Sequence, residues 1–398
     1  MVFVLISLIL IVGCKNYSIG KEKQQQNEIK ILRDATGLED AKKSQIVQLK
    51  NYDVLNLEAK PVVKDINGIG IRTYGYNGQI PGPLIMVKQN DTIYVNFTNN
   101  IDMETTVHWH GIRLENKFDG VPHITQAPVK LGESFIYKLD FPDAGVYWYH
   151  PHVREDMQQE LGLYGNIFVK PSDENYFNKA NNEVFLFLDD IKMAKSDVDV
   201  FTKDFARFAL MGRFGNTMLI NGETDYKLNV MKGVVIRFYI TNSANTRTFN
   251  FSIENHKLKL IGSDSGKFER EEFVDSVVLA VGERYIVEVL FDKPGVFEIK
   301  HTNPNKSYTL GTISVSDKNN SQNLNFNILK ENPEIKSGVD KYIKYFDKVP
   351  DYEIDLTVDM SSMQGMDHSM MAMDLNEKIE WEDDMAMMNT MSTSENMK

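Results

Sequence analysis

Apolar and polar residues alternate along this chain in short runs. Ile93, Val95 and Phe97 interleave with Tyr94, Asn96 and Thr98, and Phe135, Tyr137, Leu139 and Phe141 keep the same spacing. A period of two marks a strand with one buried face. Turn formers stand between such runs: Asn77-Gly78, Pro81-Gly82-Pro83, Asp119-Gly120 and Asp143-Ala144-Gly145. Short strands at roughly 8–12-residue intervals predict an all-β chain of sandwiches or barrels. The first residues depart from this pattern: MVFVLISLILIVG carries no charge. It falls short of the roughly 20 apolar residues that span a bilayer, and suits the core of a signal peptide. Residues 15–51 are polar (KEKQQQNE) and read as a spacer.

The pattern repeats. Gly132-Glu133, Phe141, Gly145 and Val146 recur as Gly282-Glu283, Phe291, Gly295 and Val296, a constant offset of 150 (282 − 132). IYVNFTNN at 93–100 matches IRFYITNS at 236–243, and YGNIFV at 164–169 matches LGTISV at 310–315. Two copies of one sandwich are expected, at 52–171 and 172–345. A third copy starts near Tyr352 (YEIDLTVDM, compare EVFLFLDDIKM at 183–193). Residues 346–398 are shorter than the roughly 100 residues of a sandwich domain, so that copy is expected to be incomplete.

Composition narrows the chemistry. A net charge of −12 argues against nucleic acid as a partner, since phosphate binding needs clustered Lys and Arg. Cys14 is the one cysteine of the sequence, which excludes an internal disulfide and Cys-rich metal sites. It follows Ile11-Val12-Gly13 in a stretch that resembles a bacterial lipobox. That resemblance implies a signal peptide over 1–14, lipidation of Cys14, and an exported protein held at a bacterial membrane by its lipid alone.

Four of eight histidines form two pairs, His108-Trp109-His110 and His150-Pro151-His152. On a strand, residues two apart share a face, about 6.5–7 Å from each other. Each pair therefore presents two imidazoles on one side, suited to Cu, Zn, Fe or Ni. The repeat argues against a structural role: offsets of 143 and 150 carry the four positions to Phe251, Ile253, Lys300 and Thr302. The sister copy keeps the turns and strands without imidazoles. His301, His256 and His123 lack such pairing and are expected to be ordinary sheet, loop-edge and turn residues.

These residues carry a family resemblance. NGQIPGPLI (77–85), TVHWHGIRL (106–114), DGVPHITQ (119–126), GVYWYHPH (145–152) and GLYGNIFV (162–169) together resemble the first domain of multicopper oxidases, the laccase-like copper enzymes. The resemblance implies tandem cupredoxin-like Greek-key β-sandwich domains, with a middle domain that holds no copper. It also implies a trinuclear copper cluster between the first and third domains. His108 would hold the type 2 copper, and His110, His150 and His152 the two type 3 coppers. Asp119 matches an acid that supplies protons during reduction of dioxygen; a turn-forming role is the alternative, because Asp264 recurs before Gly266. Partners would be dioxygen and a small-molecule reductant, phenolic or Cu(I).

The chain also departs from that family. A type 1 blue copper needs a cysteine flanked by histidines, and no cysteine follows residue 14. After His301 the sequence offers only His368. Half of the cluster ligands and the electron-entry site are therefore missing from this sequence. A third domain is expected in the full-length protein, and this chain alone is expected to be inactive in four-electron chemistry. The alternative is a copper-sequestering lipoprotein without catalysis. A cupin reading of His108-x-His110-x4-Glu115 is weaker, because the second cupin histidine motif is absent.

Eleven of the nineteen methionines fall in residues 360–398, which asks for a reason. Thioether sulfur selects Cu(I). Met363, Met366, His368, Met370, Met371 and Met373 in SMQGMDHSMMAM, interleaved with Gly, Asp and Ser, are expected to form a Cu(I)-collecting loop. Met387, Met388 and Met391 read as packing residues.

Overall fold

The computed structural model describes residues 34–354, except 196, 200, 202–207, 209–211, 265 and 320–324. Cys14, the signal-peptide stretch and the methionine segment with His368 lie outside the described residues. Among the described residues no helix is long and apolar enough to cross a membrane.

The period-2 runs become strands in two tandem sandwiches. The first contains β1 (Ile46–Gln48), β2 (Val54–Ile66), β3 (Ile69–Tyr76), β4 (Leu84–Lys88), β5 (Thr92–Asn99), β6 (His108–His110), β7 (Ser134–Asp140), β8 (Gly145–His150) and β9 (Gly165–Lys170). The second contains β10 (Asn182–Ile191), β11 (Thr217–Ile220), β12 (Tyr226–Lys232), β13 (Val234–Asn242), β14 (Phe249–Ile253), β15 (Leu258–Ser263), β16 (Gly266–Val274), β17 (Val277–Leu279), β18 (Arg284–Phe291), β19 (Gly295–Thr302) and β20 (Ser307–Asn319). Sheets β1-β4-β9-β8-β6 and β3-β2-β5-β7 face each other in the first, β11-β10-β13-β18-β15-β16 and β12-β20-β19-β14-β17 in the second. Strands β2 and β5, β4 and β9, β10 and β13, and β12 and β20 pair in parallel, so the chain crosses between sheets rather than folding as simple hairpins.

The alternation predicts burial well. In β5 the Ile93, Val95 and Phe97 side chains are fully buried, while Tyr94, Asn96 and Thr98 are only half-buried. One expectation needs correction. Residues 40–48, assigned to the polar spacer, pair onto the first sandwich: Ala41 N–H donates to Val63 C=O at 2.7 Å, and β1 lies parallel to β4. An edge strand docks through its main chain, so its side chains need not be apolar.

The strand registers align the two copies. Gly145 opposes Val169 and Tyr149 opposes Gly165; Gly295 opposes Val315 and Ile299 opposes Gly311 in the same way. Trp109 opposes Tyr149 as Ile253 opposes Ile299. His108 and His110 therefore correspond to Ser252 and Glu254, not to Phe251 and Ile253. The shift arises from one extra residue between β13 and β14, which moves the offset from 143 to 144. A shift of one reverses which face a side chain takes, and Phe251 and Ile253 are buried core residues.

Strand β8 is buried along its whole length because both faces are covered. Tyr147 and Tyr149 join the core of the first sandwich; Val146 and Trp148 pack toward the second, Val146 with Tyr239 and Ile286, Trp148 with Phe187. Polar links cross the same junction, including Asn166 Nδ2–H to Thr241 Oγ1 at 3.0 Å and Gln159 Nε2–H to Ser243 C=O at 2.8 Å.

Candidate metal centre

The site grows from the pairing of β6 with β8. Their antiparallel register sets His108 opposite His150, Trp109 opposite Tyr149 and His110 opposite Trp148. Trp109 and Tyr149 are drawn into the apolar core and fully buried. Period-2 geometry then sends His108, His110, Trp148 and His150 to the other face, at the rim next to the second sandwich. His152 follows two residues beyond β8. Arg154, in the left-handed region at φ 43°, turns the chain into the one-turn helix α1 (Glu155–Gln158).

The four imidazoles converge. Ring centroids of His108 lie 5.6, 5.4 and 4.6 Å from those of His110, His150 and His152. Ligand nitrogens of His108, His110 and His150 all lie within 4.8 Å of one another. His110 Nδ1 is 3.3 Å from His150 Nε2, a gap that two metal bonds of about 2.0–2.1 Å can span.

Outer contacts decide which nitrogen is offered. His108 Nδ1 donates to the Asp119 carbonyl at 2.7 Å, and His150 Nδ1 to the Pro151 carbonyl at 2.9 Å. His152 Nδ1 stands 3.0 Å from the Glu155 carboxylate. Each of these three rings thus keeps its Nε2 lone pair for a metal, oriented by the bond at Nδ1. Burial pulls the His110 pKa down to about 3, with the Arg284 guanidinium adding to the effect, and holds His150 and His108 below the ordinary value. Near neutrality these rings are uncharged, the form that binds metal. The donor set fits copper: imidazole nitrogens that converge on one rim.

Asp119 lies at the end of a short 3-10 turn (Asn116–Phe118), and its carboxylate is 3.4 Å from His108 Nδ1. Gly120 makes that approach possible. Its φ is +78°, and a Cβ there would collide with the Val107 carbonyl. The rim opens into a cleft of about 680 Å³ whose far wall comes from the second sandwich, through Arg213, Asn245, Thr246 and Gly282. Helix α1 is fastened to that wall: Asn245 Nδ2–H donates to Asp156 C=O at 2.8 Å, and the Glu160 carboxylate pairs with Arg213.

The remaining described histidines stay apart. His301 is buried in β19, accepts the Asn250 N–H at 3.0 Å and stacks on Tyr308. His256 packs on Phe291 and Phe297, and His123 sits in a turn with φ 62°. Glu155 and Gly282 are site residues that the sequence does not single out. Glu155 follows His152 by three positions at a helix start, a spacing that brings side chains together and was available as a signal. Gly282 comes from the other sandwich, which no local pattern reveals.

Tandem cupredoxin-like sandwiches with an imidazole cluster on the first rim define a class of copper proteins. Comparisons with known proteins agree. Two family models described as multicopper oxidase match residues 63–174 and 183–324. Multicopper oxidase mco of Staphylococcus epidermidis is 28% identical over 281 residues, covering 69% of this chain and 60% of that protein. The mco of Staphylococcus aureus is 30% identical over 219 residues, covering 53% and 47%. A solved multi-copper oxidase from Pseudomonas thermotolerans aligns with a TM-score of 0.61 at 27% identity, over 70% of this chain and 67% of that one. The chain belongs to the multicopper oxidase family. It spans 47% of the length of the S. aureus relative and 60% of that of the S. epidermidis relative.

Proposed function

We propose that this chain is part of a laccase-like copper oxidoreductase, coupling oxidation of a small reductant, phenolic or Cu(I), to four-electron reduction of dioxygen to water. The convergence of His108, His110, His150 and His152 on one rim supports this reading. In it, His108 serves the type 2 copper and the other three serve the type 3 pair. Copper, when bound, supplies the one-electron redox chemistry. The protein's own residues orient and insulate. The Asp119 and Pro151 carbonyls hold the rings of His108 and His150 in one tautomer, Glu155 does so for His152, and the Asp119 carboxyl group takes up and passes on protons on the His108 side. The second sandwich closes one wall against water.

The sequence supplies four cluster imidazoles and no cysteine after Cys14. Electron entry through a blue copper and the other half of the cluster would come from a third domain, and this stretch alone would bind copper without turning over dioxygen. A second reading, a copper-sequestering lipoprotein, draws on the same single cysteine and on Met363, Met366, His368, Met370, Met371 and Met373. Both readings have the protein exported and anchored through Cys14. Copper stoichiometry with oxygen uptake on a phenolic donor separates them. Loss of copper in the triple variant His108→Ala, His110→Ala, His150→Ala is expected; undiminished copper there would sink both. Oxygen uptake appearing when the reading frame is extended past Lys398 supports the oxidase, and its absence there favours sequestration.

A further inference from the structure

The two copies also part just after the Gly-Glu pair that they share. Gly132-Glu133 is followed by Ser134, and Gly282-Glu283 by Arg284. Ser134 starts β7 on the surface, where its hydroxyl meets Thr98 at 3.0 Å. Arg284 starts β18 and is only 4% exposed. Its guanidinium crosses to the first sandwich, Nε–H donating to Val146 C=O at 3.1 Å while Nη1–H donates to Gly282 C=O at 2.9 Å.

Both ends of this contact lead to one ligand. Gly111, next to His110, lies so close that a Cβ there would sit 2.7 Å from Arg284 Nη2. Gly282 packs on the His110 ring, where a Cβ would come within 3.1 Å of Cε1. The counter-charge is Asp264, 3.0 Å from Nη1, whose side chain is 45% exposed. Water screens that carboxylate far better than it screens the buried guanidinium, so a net positive field is left on the His110 side.

We propose that Arg284 is a positioning residue for the metal at His110: it fixes Gly282 under that ring and holds a buried positive charge beside it, favouring the cuprous over the cupric ion. The inference rests on the copper reading of the four histidines. A fixed positive charge disfavours the more highly charged ion, so the sandwich without ligands tunes the one that has them.

The test is the ratio of Cu(I) to Cu(II) affinity of the full chain, each ion titrated against a competing chelator, Cu(I) without air. Arg284→Met is expected to lower the preference for Cu(I) about tenfold, equal to about 59 mV for one electron. Arg284→Lys keeps the charge and most of the preference. Asp264→Asn is expected to move the ratio the opposite way; its φ of 22° suits Asn, and it keeps the test decisive if Arg284→Met does not fold. Equal changes in both affinities in Arg284→Met and Asp264→Asn would overturn the inference, whatever their size. A wild-type chain that binds neither ion overturns the copper reading along with it.

Discussion

The rims of the two sandwiches share a backbone and differ in chemistry. On the first, β6 and β8 present His108, His110, Trp148 and His150; at the same register on the second, β14 and β19 present Ser252, Glu254, Glu298 and Lys300. The second rim is self-sufficient: Lys300 Nζ lies 3.3 Å from Glu254 and 3.0 Å from Glu298, in partial contact with water. The first rim gathers uncharged, largely buried rings whose nitrogens face one another at 3.3 Å. Nothing in the sheet demands that arrangement, because the sister sheet forms without it. The fold therefore does not account for the imidazoles, and in the copper reading proposed above it is the site rather than the fold that carries the function.

The largest effect is expected when the first rim is given the side chains of the second. Writing the second rim onto the first, with His108→Ser, His110→Glu and His150→Lys, should leave a folded protein by circular dichroism. Copper affinity should fall by well over about 100-fold, since removal of a mere outer partner already costs about 10–100-fold. Retained copper in dialysed samples would mean that the rim is not the site. A smaller effect is expected at Glu155, which orients His152 from 3.0 Å. Glu155→Gln keeps the volume and removes the charge-assisted bond, so affinity should drop about tenfold or somewhat more, by competition titration, with copper stoichiometry unchanged.

Much of this was legible in the chain. Alternation gave Ile93, Val95 and Phe97 as core, and two His-x-His spacings gave four rings on a shared rim. The corrected register leaves the contrast between the copies intact, because Ser252 and Glu254 are no more imidazoles than Phe251 and Ile253 are. What sequence could not supply was register: one residue inserted between β13 and β14 flips face parity, and only the ladder shows it. The edge strand β1 stayed hidden because it docks through main-chain bonds. Gly282, Arg284 and Arg213 stayed hidden because the contacts that bring them to the first sandwich, with His110, Val146 and Glu160, join residues more than fifty positions apart.

Carboxylate–cation pairs also occur both between the sandwiches and on the second rim, and burial separates their behaviour. Glu160, fully enclosed with Arg213 between the sandwiches, has its pKa raised by burial to about 7 from 4.5, with Arg213 opposing the shift. A raised folded-state value means that this group favours folding most below pH 4.5, and that this contribution fades as pH rises through about 7. Urea midpoints of wild type and Glu160→Gln should differ in pH slope between pH 5 and 8, by on the order of 1–2 kcal/mol, the wild type losing more toward the alkaline side. Parallel slopes would mean that Glu160 is ionised throughout, held by Arg213.

The least effect is expected where the second rim is altered. Hydrogen bonds to Glu298 and Glu254 raise the Lys300 pKa, yet its side chain remains 27% exposed and those of its partners 42% and 36%. Water and salt offset most of what such pairs gain, and holding long side chains in place costs entropy. Lys300→Met should therefore leave both the urea midpoint and the copper affinity of the chain unchanged within error. This control bears on the whole comparison. A clear loss of copper in Lys300→Met would mean that the second rim takes part in metal binding, so that the two rims could no longer be treated as one architecture with and without a site.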